Sequence, residues 1–507
     1  MRTRRAARTP SVAIIGTGFG GLGMAIRLKQ AGLKDIAVFE RAGDVGGTWR
    51  ENTYPGAACD VPSHLYAFSF EAKADWTRRF ATQPEILDYL RHCADKYDIR
   101  RHIRFNSEVL GAGFDEAAGM WTLALSDGSS HRATVLVSAC GQLNRPAIPK
   151  IAGIDTFRGE MFHSANWNHD YDLSGQRVAV IGTGASAIQF VPQIAPRVAS
   201  VTLFQRQPPH VLPKPDYPYR PKTVAAFRTV PGLLSASRIA TYWTLEPRAL
   251  AFTKFPQLMS YIDRRFQLNI GNQIADESLR ETLTPKYKIG CKRILLSNDY
   301  YKALVRPNVC VVTDGIAEIR PTGLVTRDGR LHEADAIVLG TGFHATDFLA
   351  PMEITGRGGQ TLNEAWRDGA EAYLGMTVSG FPNLFILYGP NTNLSHNSIV
   401  FMLEAQIGYV LQAVDRLQRR PARWLEVRAD VQSEFNTGIR ERVKATVWDS
   451  GCTSWYKTEA GKNTNNWPGF TFAYRSQVRR LRDAAFHFER ETTPAVHDNL
   501  GRKLSSG

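Results

Sequence analysis

Ser11-Val12-Ala13-Ile14-Ile15-Gly16-Thr17-Gly18-Phe19-Gly20-Gly21 decides how this 507-residue chain is read. A short apolar run rich in β-branched residues enters a glycine cluster, and helical spacing follows through Ala25 and Leu28. Strand, glycine turn and helix in that order let a backbone approach a pyrophosphate at a helix N-terminus, with Gly16, Gly18 and Gly21 at the fingerprint positions. A second apolar run over residues 36–39 ends in Glu40, nineteen residues past Gly21, where a carboxylate meets a ribose hydroxyl.

The unit recurs. Residues 177–181 (RVAVI) lead into Gly182-Thr183-Gly184-Ala185-Ser186-Ala187, and another strand is expected over 200–204. Nineteen residues past Ala187 stands Arg206. A guanidinium suits a 2′-phosphate that a carboxylate would repel, so the first unit is expected to take FAD or NAD and the second NADPH. The second site would be built from Gly182, Thr183, Gly184, Ser186, Ala187 and Arg206. No P-loop, HExxH or GxSxG motif accompanies the pair, which points to a flavoprotein that takes hydride from NADPH. The expected fold class is α/β, with two Rossmann-like dinucleotide-binding domains and a helical insertion in the NADPH domain.

Composition agrees with an enzyme of two or three domains. Apolar residues make up 43% of the chain, enough for a sizeable core, which excludes disordered and collagen-like classes. Mean hydropathy is −0.26 and no run of 18 apolar residues occurs, so no membrane-spanning helix is expected. The basic start, Met1 to Pro10, gives way to a strand pattern rather than an apolar secretion segment, and the expected location is cytoplasmic. The net charge of +14 comes from arginines spread along the chain, with no basic block interleaved with aromatics. It is assigned to phosphate-bearing cofactors and a basic exterior, not to nucleic acid. Cys59, Cys93, Cys140, Cys291, Cys310 and Cys452 show no C-x-x-C spacing. They are expected to be ordinary buried thiols, with no disulfide framework and no metal site.

The pattern assigns residues 1–149 and 340–507 to the FAD domain, 150–212 and 290–339 to the NADPH domain, and 213–289 to the helical insertion. Prolines at 208, 209, 213, 215 and 218 mark the entry to the insertion. Its Leu233, Leu234, Tyr242, Trp243 and Phe252 fit core packing, a substrate tunnel or a membrane-facing patch that would allow peripheral membrane contact. Strands are expected over 135–140, 309–313, 336–339 and 382–387. Val400, Leu403, Ile407, Val410, Val414 and Leu417 then place a long amphipathic helix from near Asn397. If its N-terminus faces the isoalloxazine, its dipole would favour negative charge on reduced flavin; a plain core helix fits the pattern equally.

Between the two units, Phe157-Arg158-Gly159-Glu160-Met161-Phe162-His163-Ser164-Ala165-Asn166-Trp167 reads F-x-G-x-x-x-H-x-x-x-W. This resembles the fingerprint of the type I (class B) flavin-dependent Baeyer-Villiger monooxygenases. Trp167 favours that group over the sister flavin-containing and N-hydroxylating enzymes, while Asn168 departs from the Pro or Asp that many members carry. Gly46-Gly47-Thr48-Trp49, Tyr54-Pro55-Gly56 with Asp60, Cys291-Lys292-Arg293 before Tyr300-Tyr301, Gly340-Thr341-Gly342-Phe343 and Ser454-Trp455 look like further family landmarks in family order. Trp467-Pro468-Gly469-Phe470 looks nearer the hydroxyacetophenone-monooxygenase branch than the cyclohexanone-monooxygenase branch.

The resemblance implies an NADPH- and dioxygen-dependent enzyme with FAD and NADPH as cofactors. Its substrate would be a small hydrophobic ketone, attacked by an anionic flavin peroxide to give an ester or lactone. It implies Arg293 as the active-site cation, Asp60 as the carboxylate that holds it, and Trp455 on a loop over nicotinamide and substrate. Lys292 would join Arg206 on the 2′-phosphate. Gly47, Thr48, Trp49, Asp60, Tyr66, Val109 and Asn397 would face the flavin, with His163 and Trp167 structural in the linker. The alternatives are an N- or S-hydroxylating flavin monooxygenase and a non-oxygenating nucleotide-binding redox sensor.

Overall fold

The strand Val12–Ile15 is buried at all four positions and lies at the centre of a five-stranded parallel sheet. The computed structural model describes residues 9–419 and 422–490. In the first sheet the strand order is Leu384–Ile386, Val135–Ser138, Val12–Ile15, Ile36–Phe39, Ile103–Arg104, with Ile14 in register with Val38 and Val137. Parallel strands covered on both faces read as unbroken apolar runs, as these do. One face packs Val12, Ile14, Val38 and Val137 against helix Phe19–Gln30 and the long helix Ile399–Arg419. The other packs Ala13, Ile15 and Leu136 against Trp121 and Leu123 of a four-stranded sheet. Each fully buried Val or Ile in these layers is worth about 1.5–3 kcal/mol.

The second unit repeats the layers. Its sheet runs Val309–Val312, Ser200–Phe204, Arg177–Ile181, Ala336–Leu339, Glu160–His163, all parallel. Helix Ala187–Ile194 covers one face, and the small antiparallel sheet carrying Ile319 and Leu324 covers the other. Both glycine turns use the same close approach. Gly16 has φ +99° and a Cβ there would stand 2.8 Å from the Ala139 carbonyl oxygen; Gly182 has φ +106° and a Cβ 2.4 Å from that of Gly340.

The chain leaves the second unit after the strand Val211–Leu212 and returns at Leu295–Leu296, which pair in parallel. Between them lie helices Pro221–Thr229, Leu233–Leu245, Ala249–Thr253, Met259–Gln273 and Glu277–Thr282. Tyr242, Leu245, Phe252, Phe266 and Ile270 turn inward, whereas Ile239, Trp243, Tyr261 and Leu268 are each more than half exposed. No helix among the described residues is long and apolar enough to cross a membrane.

Two expected strands are shorter than their apolar runs. Val135–Ser138 stops before Cys140, and Leu384–Ile386 starts after Pro382, which has no N–H, and Asn383, which sits at φ +55°. The long helix begins at Ile399, because Ser398 Oγ accepts from the Val400 N–H and ends the preceding loop. His163 is buried, with Nδ1 accepting from the Ala165 N–H at 3.1 Å, and Trp167 packs on Phe162 and Phe190.

The cysteine expectation needs correction. Cys291 and Cys452 form a disulfide across 161 residues, and Cys310 is exposed; Cys59 and Cys93 are buried thiols and Cys140 is partly buried. Local spacing carries no signal for a pair that only the tertiary fold brings together. Gly182→Ala is expected to cost more than about 1 kcal/mol, since a side chain meets both the positive φ and the Gly340 carbonyl. Thermal melting with parallel FAD and NADP+ titrations checks this: flavin content should survive and NADP+ binding should be lost.

Candidate active site

The two glycine turns open on one cleft of about 1390 Å³, at the carboxyl ends of both parallel sheets. Gly16, Thr17 and Gly18 line one end, and Gly182, Thr183, Gly184 and Ser186 the other. Gly18 is the N-cap of helix Phe19–Gln30 and no side chain caps that terminus, so its first N–H groups are open to the phosphates of a ligand. Glu40 is buried, its Oε2 accepting from the Thr17 N–H and hydroxyl and its Oε1 pairing with Arg50 at 3.0 Å. Gly47, Thr48, Trp49, Tyr66, Val109 and Asn397 line the same half, and Trp49 Nε1 donates to the Tyr66 hydroxyl at 3.2 Å.

Two fingerprint residues stand behind the cleft instead of in it. A Cβ at Gly21 would lie 1.9 Å from the Gly16 carbonyl oxygen, so Gly21 serves the packing of helix on turn. Ala187 is fully buried, beneath Gly340 in the second unit. Neither lines the cleft.

In the second half, Arg206 and Lys292 both line the cleft, and no carboxylate pairs with either among the described residues. Lys292 Nζ donates to Gln207 Oε1 and lies over the Tyr287 ring. Burial, with the Arg206 charge beside it, draws the Lys292 ammonium below the usual lysine range. Two adjacent cations with no carboxylate partner among the described residues suit a dianion.

Between the halves, Arg293 Nη2 contacts Asp60 Oδ2 at 2.6 Å, joining the flavin unit to the returning chain of the second. Both side chains are about 30% exposed and face the cleft. Asp60 raises the Arg293 pKa further, with the Tyr456 and Tyr388 phenols in support. Burial works against ionisation of Asp60, but Arg293 and Lys214 hold its carboxyl below the ordinary value. The result is a permanent cation with donors to spare beyond those its one carboxylate uses. Trp455 lines the cleft with Thr453 and Ser454, packs on Tyr456 at 4.4 Å, and has its carbonyl bound by Asn465.

One element escapes sequence reading. Glu246, 1% exposed, accepts from the Asn397 side chain, from the Thr471 N–H and hydroxyl, and from the Phe472 N–H. Burial would raise its pKa, yet these bonds and nearby His396 lower it. The carboxylate thus caps helix Thr471–Val478 and fixes Asn397 where the long helix begins. A lone glutamate in an insertion of helical composition carries no spacing that marks it.

Two dinucleotide turns on one cleft, a carboxylate in the ribose position of one and cations in the phosphate position of the other, define a flavoprotein oxidoreductase of the two-nucleotide class. The family model for flavin-binding monooxygenase-like proteins matches residues 9–239. A Baeyer-Villiger monooxygenase of Pseudomonas aeruginosa is 48% identical over 100% of this chain and 96% of its own. Another from Streptomyces coelicolor is 48% identical over 93% of this chain and 91% of its own. Among solved structures, an oxidized steroid monooxygenase bound to NADP superposes with TM-score 0.85 at 33% identity, over 95% of this chain and 100% of that one. The chain belongs to the Baeyer-Villiger monooxygenase family. It is an NADPH-dependent, FAD-containing enzyme that inserts one oxygen atom.

Arg206→Ala should raise KM for NADPH about ten- to a hundredfold and leave KM for NADH nearly unchanged, as expected for a lost charge-assisted phosphate contact. Steady-state kinetics with both cofactors measure it. Because the Lys292 pKa is lowered, its charge is lost as pH rises through a value below the usual lysine range. kcat/KM for NADPH should therefore fall on the alkaline side, and Lys292→Arg should flatten that limb. Glu246→Ala strands several buried donors and should cost about 3 kcal/mol or more, read as a lowered Tm together with weakened flavin retention.

Proposed function

We propose that Arg293, held by Asp60, is the cation on which this enzyme converts a small hydrophobic ketone and dioxygen into an ester or lactone. The observation that carries the reading is the 2.6 Å Arg293–Asp60 ion pair in the wall of the cleft onto which both nucleotide turns open. When bound, the two cofactors supply the two-electron reduction of dioxygen, of whose oxygen atoms one enters the product and the other leaves as water.

The chain's own residues do the rest. Arg293 donates hydrogen bonds to negative charge developing on oxygen and, at its raised pKa, cannot surrender a proton to it. Asp60 aims the guanidinium and balances its charge when no anion is present. Gly16, Gly18 and Glu40 hold the flavin nucleotide, with Trp49 and Tyr66 beside the ring system. Gly182, Thr183, Gly184, Ser186, Arg206 and Lys292 hold NADPH, and Trp455 covers the cleft and excludes water.

The reading assigns residues 1–149 and 340–507 to FAD, 150–212 and 290–339 to NADPH, and 213–289 to the helical insertion; 1–8, 420, 421 and 491–507 lie outside the described residues. The exposed Trp243, Tyr261 and Leu268 support peripheral membrane contact by that insertion. A cytoplasmic location fits dependence on a nicotinamide cofactor.

Arg293→Ala should separate the half-reactions. Anaerobic flavin reduction by NADPH survives, while product formation falls at least 10²- to 10³-fold, the usual effect of removing one oxyanion donor, and NADPH oxidation diverts to hydrogen peroxide. Rapid-mixing spectra and product mass decide it; undiminished ester formation would assign the cation's role elsewhere.

A further inference from the structure

Cys291 is fully buried and precedes Arg293 by two residues; Cys452 precedes Trp455 by three. Their disulfide brings the two Cα atoms to 6.3 Å. It therefore joins the segment that carries the active-site cation to the segment that carries the aromatic cover. Residues 450–454 belong to no helix or strand, and Gly451 and Thr453 are exposed. Among the described residues, no hydrogen bond ties Gly451, Cys452 or Thr453 to another segment. Beyond Trp455 the chain is held again, by Asn465 on the carbonyls of Trp455 and Tyr456. The near side starts from the buried Trp448 and from Asp449, which pairs with Lys457 across the loop, and the crosslink adds a tie at Cys452 to a stretch that lines the cleft at Thr453, Ser454 and Trp455.

We infer that the Cys291–Cys452 disulfide is a positioning contact for the reaction: it fixes the Trp455 segment against the Arg293 segment, so that the cover is ordered before NADPH binds. The inference rests on the reading of Arg293 and Trp455 given above. Three residues of extended chain reach at most about 11 Å, so with Cys452 held 6.3 Å from Cys291 the Trp455 backbone stays within about 17 Å of the Cys291 backbone. Without it, residues 451–453 have no tie to another segment until the nucleotide binds, and that ordering entropy is subtracted from affinity. A disulfide in a reducing compartment is also open to cleavage, which gives the contact a dependence on redox state that the other cleft residues lack.

The test uses the FAD-loaded enzyme purified without reductant. Treatment with tris(2-carboxyethyl)phosphine cleaves the S–S bond; the phosphine gives up two electrons and becomes the phosphine oxide, with water supplying its oxygen and the two thiol protons. Alkylation and intact mass should count four reactive cysteines before treatment and six after, in denatured samples. Reduced wild type, Cys291→Ser, Cys452→Ser and the double variant should converge. KM for NADPH should rise about three- to tenfold while kcat changes less than about twofold, the pattern of lost preorganisation rather than lost chemistry. Hydrogen peroxide per NADPH should also rise, and proteolysis within 450–456 should quicken. Cys310→Ser, at an exposed free thiol, should match wild type.

If the serine variants fail to fold, the reduced wild-type holoenzyme with FAD retained carries the comparison alone. Six alkylated cysteines in the untreated protein, or unchanged KM and coupling after verified cleavage, would overturn the inference. Failure of the underlying reading looks different: Arg293→Ala would then form ester at the wild-type rate, whatever the state of the cysteines.

Discussion

A guanidinium in the wall of a cleft between two units is the constraint on which the rest depends. Removing such a charge from water costs several kcal/mol unless an ionised partner meets it with good geometry. Asp60 provides that partner at 2.6 Å, and it comes from the flavin unit while Arg293 comes from the chain returning out of the helical insertion. The pair therefore forms only when both units are folded and docked. Arginine suits the place because its charge persists against any anion and its planar donors serve a carboxylate and an oxyanion together. A lysine would meet the same burial with a pKa that falls, as Lys292 and Lys214 do nearby.

Docking is secured by contacts that the nucleotide turns do not themselves make. Tyr54 donates to Gln189 Oε1 at 3.0 Å, Gln189 Nε2 donates to the Ala58 carbonyl at 3.0 Å, and a Cβ at Gly56 would stand 2.8 Å from the Gln189 carbonyl oxygen. The segment 54–60 thus lies on helix Ala187–Ile194 of the second unit and delivers Asp60 at its end. The insertion is tied back in turn through Glu246, whose carboxylate collects donors from both sides of the long helix's N-terminus. Arg293, Asn397 and Trp455 thus come from three chain segments set in place by buried polar bonds and one covalent link.

The two units also show how one architecture takes two nucleotides. Layers, sheet direction and first glycine agree, including the approach of each turn to the end of a neighbouring strand. Only the residues past the second strand differ in sign: Glu40 is neutralised by Arg50, whereas Arg206 stands beside Lys292 with no carboxylate between them. Such a charge difference suits two different nucleotides without any change of fold.

The sequence by itself determined what is local. Strand, glycine turn and helix are set by residues within about thirty positions of each other, because apolar runs, positive φ and the strand-to-ribose spacing are short-range properties. Both parallel sheets and the helical insertion were legible for that reason. The pairing of Arg293 with Asp60 was legible only through resemblance, since 233 residues separate the two. Tertiary structure alone decided that Gly21 and Ala187 pack behind the cleft, that Glu246 holds Asn397 from 151 residues away, and that Cys291 meets Cys452. In each case the partner is chosen by how layers stack and where a returning chain crosses. Those distances are fixed by packing across units, and no spacing along the chain encodes them.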